Sequence, residues 1–62
     1  MRIAYRDKEW ELNGGITVRE AIRQVGLDPE SVLATRDGKL INESTTIRED
    51  DQIKLIGVIS GG

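Results

Sequence analysis

The run Thr17-Val18-Arg19-Glu20-Ala21-Ile22-Arg23-Gln24-Val25 carries a helical repeat, and it constrains everything on either side of it. Its apolar residues Val18, Ala21, Ile22 and Val25 fall on one face, while Arg19, Glu20, Arg23 and Gln24 fall on the other. Thr17 and Glu20 have the spacing of a capping box, in which the threonine hydroxyl accepts an early orphan amide and the glutamate reaches back. A helix therefore starts at Val18. Gly26 stands where a left-handed closing residue belongs, and Pro29 forbids continuation. The spacing predicts about two turns with a single apolar stripe, which must pack on a sheet.

The sheet is supplied by runs with a period of two. Met1, Ile3 and Tyr5 alternate with Arg2, Ala4 and Arg6, so the first run has one buried side. After Asp7, Trp10 and Leu12 share a face while Glu9 and Glu11 face water, and two strands this close form a hairpin. Trp10 is read as hairpin packing rather than a ligand platform. Asn13-Gly14-Gly15 breaks the pattern as a turn, with no phosphate-loop spacing or Lys-Ser/Thr after it. Val32 to Arg36 reads as a third strand, Asp37-Gly38 as a turn and Lys39-Leu40-Ile41 as a short return strand. From Asn42 to Gln52 the chain is mostly polar, and Leu40, Ile41 and Ile47 are the apolar side chains expected to tuck in. Glu49-Asp50-Asp51 reads as a solvated acidic turn. Ile53 to Ser60 is the closing strand, with Ile53, Leu55, Gly57 and Ile59 facing the core and Lys54, Ile56 and Val58 on the other face.

Strand, strand, helix, strand, short strand, strand is the order of an α+β β-grasp, a mixed sheet of four to five strands wrapping one helix. The first and last strands then lie side by side and parallel at the sheet centre, with the helix in the crossover. Ile56 and Val58, joined by Ala4, make a small apolar patch on the uncovered face that suits a docking partner, and Arg2 and Arg6 share the face of Ala4. The domain is expected to span residues 1–60, with 61–62 as a diglycine tail.

Composition narrows the chemistry. The chain has 62 residues and contains neither cysteine nor histidine, so thiol nucleophiles, imidazole bases, disulfides and the usual zinc sites are excluded together. Nine basic against eleven acidic residues, a net charge of −2, argue against nucleic acid as a direct partner. No run is long or apolar enough for a membrane span or signal peptide, and the expected location is cytoplasmic. What is left as a reactive group is the end itself. Gly61-Gly62 closes the last strand with a residue pair lacking Cβ atoms, so the Gly62 carboxylate is unhindered and Gly61 can pass through a narrow channel.

These residues resemble the ThiS/MoaD family of ubiquitin-like sulfur carriers, over essentially the whole chain. Asp51-Gln52-Ile53-Lys54-Leu55 with Val58-Ile59-Ser60-Gly61-Gly62 looks like the closing strand and diglycine of the ThiS branch, and Thr17-Val18-Arg19-Glu20 looks like its helix start. MoaD-type tails carry a proline pair where Gly57-Val58 stand here, which weighs against a molybdopterin-synthase small subunit. Asp37-Gly38-Lys39-Leu40 also looks like members that serve transfer RNA thiolation or act as protein modifiers. The resemblance implies a carrier, not an enzyme. Its Gly62 carboxylate is adenylated by a ubiquitin-activating-type enzyme and converted to a thiocarboxylate, for thiamine thiazole formation or tRNA thiolation. A modifier joined through Gly62 to lysines, or a molybdopterin-synthase small subunit, is the alternative. ATP and the sulfur donor would be used by the partner, with no cofactor or metal held by this chain. Ile56, Val58, Ile59 and Ser60 would meet the adenylating enzyme and the sulfur-accepting synthase or thiolase, and the carrier is expected to be a monomer.

Overall fold

The computed structural model describes residues 1–58. Its elements are β1 (Arg2–Tyr5), β2 (Lys8–Glu11), β3 (Ile16–Thr17), α1 (Val18–Gln24), β4 (Val32–Arg36), β5 (Lys39–Ile41), β6 (Thr46–Ile47) and β7 (Gln52–Gly57). The main sheet has five strands in the order β2-β1-β7-β4-β5. β1 and β7 run parallel with Ile3 opposite Ile53 and Tyr5 opposite Leu55, and β4 runs antiparallel to β7 with Ala34 opposite Leu55. This is the α+β, ubiquitin-like β-grasp that the element order predicts, with β7 hydrogen-bonded on both sides.

Alternation builds the core. Ile3, Val32, Ala34, Ile53 and Leu55 from the sheet close on Val18, Ala21 and Ile22 of α1, with Met1 and Ile47 completing the cluster. Tyr5, Trp10, Leu12 and Val25 are half-buried around it. Each fully buried aliphatic side chain contributes roughly 1.5–3 kcal/mol, and Ile3, Ile22, Ile47 and Val18 are the largest of them.

Both ends of α1 are satisfied. Thr17 adopts φ −77°, ψ 161° and its hydroxyl accepts from the Glu20 amide at 3.2 Å. The amides of Val18 and Arg19 donate to the carbonyls of Thr45 and Glu43 at 3.0 and 2.9 Å. At the other end Gly26 has φ +84°, and the amides of Gly26 and Leu27 donate to the carbonyls of Arg23 and Ile22 at 3.0 and 3.1 Å, a Schellman closure.

Two expectations need correction and a third is extended. The segment after β5 is not merely a polar connection. Asn42 caps its own turn by accepting from the Ser44 amide at 2.9 Å, and the segment feeds carbonyls to α1 and pairs β6 with β3 as a second, two-stranded sheet. Leu40 is not tucked in but 65% exposed, because the β4–β5 register sets it opposite Thr35 on the outer face. The acidic turn is solvent-exposed at Glu49 and Asp50, as expected, but two of its carboxylates also tie the fold together. Asp51 Oδ2 accepts from the Arg48 amide and from Arg36 Nη1, both at 3.0 Å, and Glu49 Oε1 accepts from the Gly14 amide at 2.7 Å.

The Arg48 amide, followed by the Arg36 guanidinium, holds the Asp51 carboxyl below its ordinary value of 3.8. A carboxyl depressed in the folded state binds its proton more readily when unfolded, so its contribution to stability is complete above that ordinary value. It disappears as pH falls through the lower folded-state value. Denaturant unfolding followed from neutral pH to below 3.8 is expected to show an acid limb that becomes shallower in Asp51→Asn; an unchanged limb would assign the acid sensitivity elsewhere.

Candidate functional site

The end of β7 and the outer face of the sheet form the candidate site. Residues directly opposite in the antiparallel β4–β7 pair share a face, so Leu33 stands beside Ile56 and Thr35 beside Lys54. Leu33, Ile56 and Val58 are 44%, 45% and 37% exposed. With Leu40 they are the exposed large apolar residues of the described chain. Ala4, half-buried, lies opposite Lys54 on β7 and Glu9 on β2. The structure thus sets the expected Ile56 and Val58 on one face with Leu33, which stands beside Ile56; Ala4 shares that face but stands beside Lys54, and Leu40 stands beside Thr35. Leu33 was accessible to sequence reasoning, since it alternates with Val32 and Ala34 and so cannot share their face.

The arginines expected near Ala4 are engaged. Arg2 meets Glu11 Oε1 at 3.3 Å and Glu9 Oε1 at 3.7 Å, exposed pairs worth about 0–1 kcal/mol each. Arg6 turns the β1–β2 hairpin with φ 58° and sets its guanidinium 5.2 Å from the Tyr5 ring centroid. The outer face therefore combines an apolar strip at its β4–β7 side, Lys54 at its middle and a paired charge row at the β1–β2 side.

The chain approaches its end under control as far as it is described. Val58 donates its amide to the Ser31 carbonyl at 2.9 Å, and Ser31 is itself held by Asp28, whose carbonyl accepts from the Ser31 amide at 2.9 Å. Gly57 keeps the parity of Leu55 but is exposed; a Cβ there would lie 2.9 Å from the Tyr5 hydroxyl oxygen. Ile59, Ser60, Gly61 and Gly62, to which the sequence assigns core, partner and chemical roles, lie outside the described residues. Among the described residues no group of three or more acidic, histidine or cysteine side chains is placed to hold a metal ion, and no helix is long and apolar enough to cross a membrane.

A β-grasp whose central strand leads into a diglycine defines a ubiquitin-like protein. The model of the ThiS family matches residues 1–62, and the chain is 37% identical over 65 aligned positions to the sulfur carrier protein TtuB of Thermus thermophilus, with all of both chains covered. The chain belongs to the ThiS family, whose members are small carriers rather than enzymes.

Proposed function

We propose that this protein is a sulfur carrier that works through the carboxylate of Gly62. A carboxylate is a poor electrophile. Attack of its oxygen on the α-phosphorus of ATP, in the active site of a ubiquitin-activating-type enzyme, expels pyrophosphate and gives an acyl-adenylate. Sulfide equivalents from a donor then attack the carbonyl carbon, AMP leaves, and the product is a thiocarboxylate able to deliver sulfur to an accepting synthase or thiolase. Gly61 gives the tail clearance, and Ile56 and Val58, with Ile59 and Ser60 beyond them, meet the partner. The carrier itself binds neither ATP nor the sulfur donor.

The observation that carries the reading is β7, paired to β1 and β4, running toward the diglycine beside an apolar strip of Leu33, Ile56 and Val58. Likeness along the whole chain to a protein named a sulfur carrier supports it. ATP–pyrophosphate exchange with the cognate adenylating enzyme tests it: exchange that depends on this chain is expected, and none at saturating carrier would refute it. The receiver is thiazole formation for thiamine or the thiolation of transfer RNA. Loss of one product on deletion of the gene, with the other kept, selects between them. Recovery of Gly62 chiefly in isopeptide linkage to lysines would instead make it a protein modifier.

The docking role has its own test. Ile56→Asp places a charge in the middle of the strip without touching the buried face. Central interface residues of this kind cost about 2 kcal/mol or more when altered, so the affinity for the adenylating enzyme is expected to fall roughly thirtyfold with thermal stability little changed. Unaltered affinity by titration calorimetry would move docking off this face.

A further inference from the structure

The strands of the outer face carry four charged residues by register, Arg2, Glu9, Glu11 and Lys54. Arg2 meets Glu11 at 3.3 Å and Glu9 at 3.7 Å. Lys54 makes no ion pair among the described residues, although it is exposed on the central strand between the half-buried Ala4 and the buried Thr35. The Thr35 hydroxyl donates to the Lys54 carbonyl at 3.0 Å, so neither neighbour answers the ammonium. Of these four charges Lys54 is also the nearest to the apolar strip: it precedes Ile56 by two residues on the same face, about 7 Å along the strand. Arg6, beyond the end of β1, is drawn to the Tyr5 ring on the other side of the sheet. Asp37, in the turn after β4, lies four residues from Leu33, about 13 Å on the same scale.

We infer that the protein surface covering the strip carries a carboxylate opposite Lys54. The inference rests on the docking role given to this face and names the chemistry of the partner there, the adenylating enzyme. An interface of ordinary size takes about 800 Å² from each partner, a disc reaching roughly 16 Å from its centre, so a protein seated on Leu33 and Ile56 also covers Lys54. An ammonium taken out of water without a counter-ion costs more than the apolar contacts beside it return. Glu9 and Glu11 share Arg2 as their counter-ion and carry it with them, and Asp37 lies toward the margin, where water still reaches it. Lys54 brings no counter-ion, so the partner must supply one. The net charge of −2 favours a basic partner at long range; at the strip the required sign is the opposite. A carboxylate there also fixes the register of docking, since sliding the partner along the sheet leaves both charges unpaired.

Titration calorimetry of the full chain with its adenylating enzyme, with thermal unfolding run alongside, tests this in the unaltered protein, Lys54→Met, Lys54→Glu and Lys8→Met. Lys54→Met keeps the stem and removes the charge, and affinity is expected to fall roughly thirtyfold or more, because the partner's carboxylate is left covered and alone. Lys54→Glu sets carboxylate against carboxylate and should lose a further tenfold or so. Lys8 lies opposite Tyr5, off the outer face, so Lys8→Met removes the same charge and should leave affinity within about twofold. Both lysines are exposed, and the unfolding temperatures should stay together. Lys54→Met binding as tightly as the unaltered chain would show that the ammonium stays in water at the margin. Tighter binding by Lys54→Glu would put a basic group opposite, and an equal loss from Lys8→Met would make the effect one of net charge. Each of these, or a Lys54→Glu loss no greater than that of Lys54→Met, would overturn the inference while leaving the docking face standing. Failure of the unaltered chain to bind would refute the docking role itself, and this inference with it.

Discussion

Removing Gly61 and Gly62 is expected to abolish adenylation and sulfur loading while leaving the domain folded and able to bind. The buried cluster runs from Met1 to Leu55, and the ladder that holds the end of β7 closes with Val58 and Ser31, so no core or pairing interaction among the described residues is removed. The strip of Leu33, Ile56 and Val58 also survives truncation. What is lost is the carboxyl carbon that must meet the α-phosphate of ATP, because a chain ending at Ser60 falls about two residues, roughly 7 Å, short of it. The truncated protein should therefore compete with the full chain for the adenylating enzyme, with unchanged unfolding temperature and no pyrophosphate exchange. A truncated chain that still supported exchange would show that the diglycine is not the reacting end; one that failed to compete would show that docking, too, depends on the tail.

The second large effect lies at the opposite end of the sheet and concerns stability. Gly14→Ala is expected to destabilise the domain by about 3 kcal/mol, because its Cβ would fall on the backbone of the next segment: on the Glu49 nitrogen, 2.6 Å from the Arg48 carbonyl carbon and 2.7 Å from the Glu49 Cα. No rotamer change relieves a clash with backbone. The Gly14 amide also donates to Glu49 Oε1 and the Gly15 amide to the Ile47 carbonyl, both at 2.7 Å. Pushing the loops apart therefore loosens the β6 segment that carries buried Ile47 and feeds carbonyls to the start of α1. Domains of this size have a total stability of roughly 3–9 kcal/mol, so the loss is a large share and should lower the unfolding temperature by on the order of 10–20 °C. Gly15→Ala is the control. Its Cβ meets nothing within 4 Å, but φ is +87°, so the backbone term alone applies, about 1–2 kcal/mol. Equal destabilisation by the two substitutions would contradict the close-approach explanation of Gly14.

Much of this was legible from residue order, and the reasons divide cleanly. The stripe of α1 and the alternation of β1, β4 and β7 are periodic over enough residues to declare themselves, and Thr17 and Gly26 mark the helix ends by local chemistry. β3 and β6 are two residues each, too short for any period to show. Their pairing, Ile16 opposite Ile47 and Thr17 opposite Thr46, joins segments far apart in sequence, which is a tertiary cause. Leu40 looked buried because it is apolar; only the register opposite Thr35 decides its side. Asp51 looked like part of a solvated acidic run because its partner Arg36 is 15 residues away in sequence. At the site, the outward side of Ile56 and Val58 followed from parity along β7 and that of Leu33 from parity along β4, whereas their adjacency required knowing that β4 flanks β7. The roles given to Gly61 and Gly62 rest on chemistry and family likeness rather than on geometry.

The most direct measurement is the intact mass of the protein after incubation with its adenylating enzyme, ATP and a sulfur donor, followed by fragmentation to place any change. The account expects a gain equal to the exchange of one oxygen for sulfur, located at Gly62, dependent on ATP, and absent from the chain lacking Gly61 and Gly62. An unchanged mass under conditions that support pyrophosphate exchange, or a sulfur found on any other residue, would contradict it.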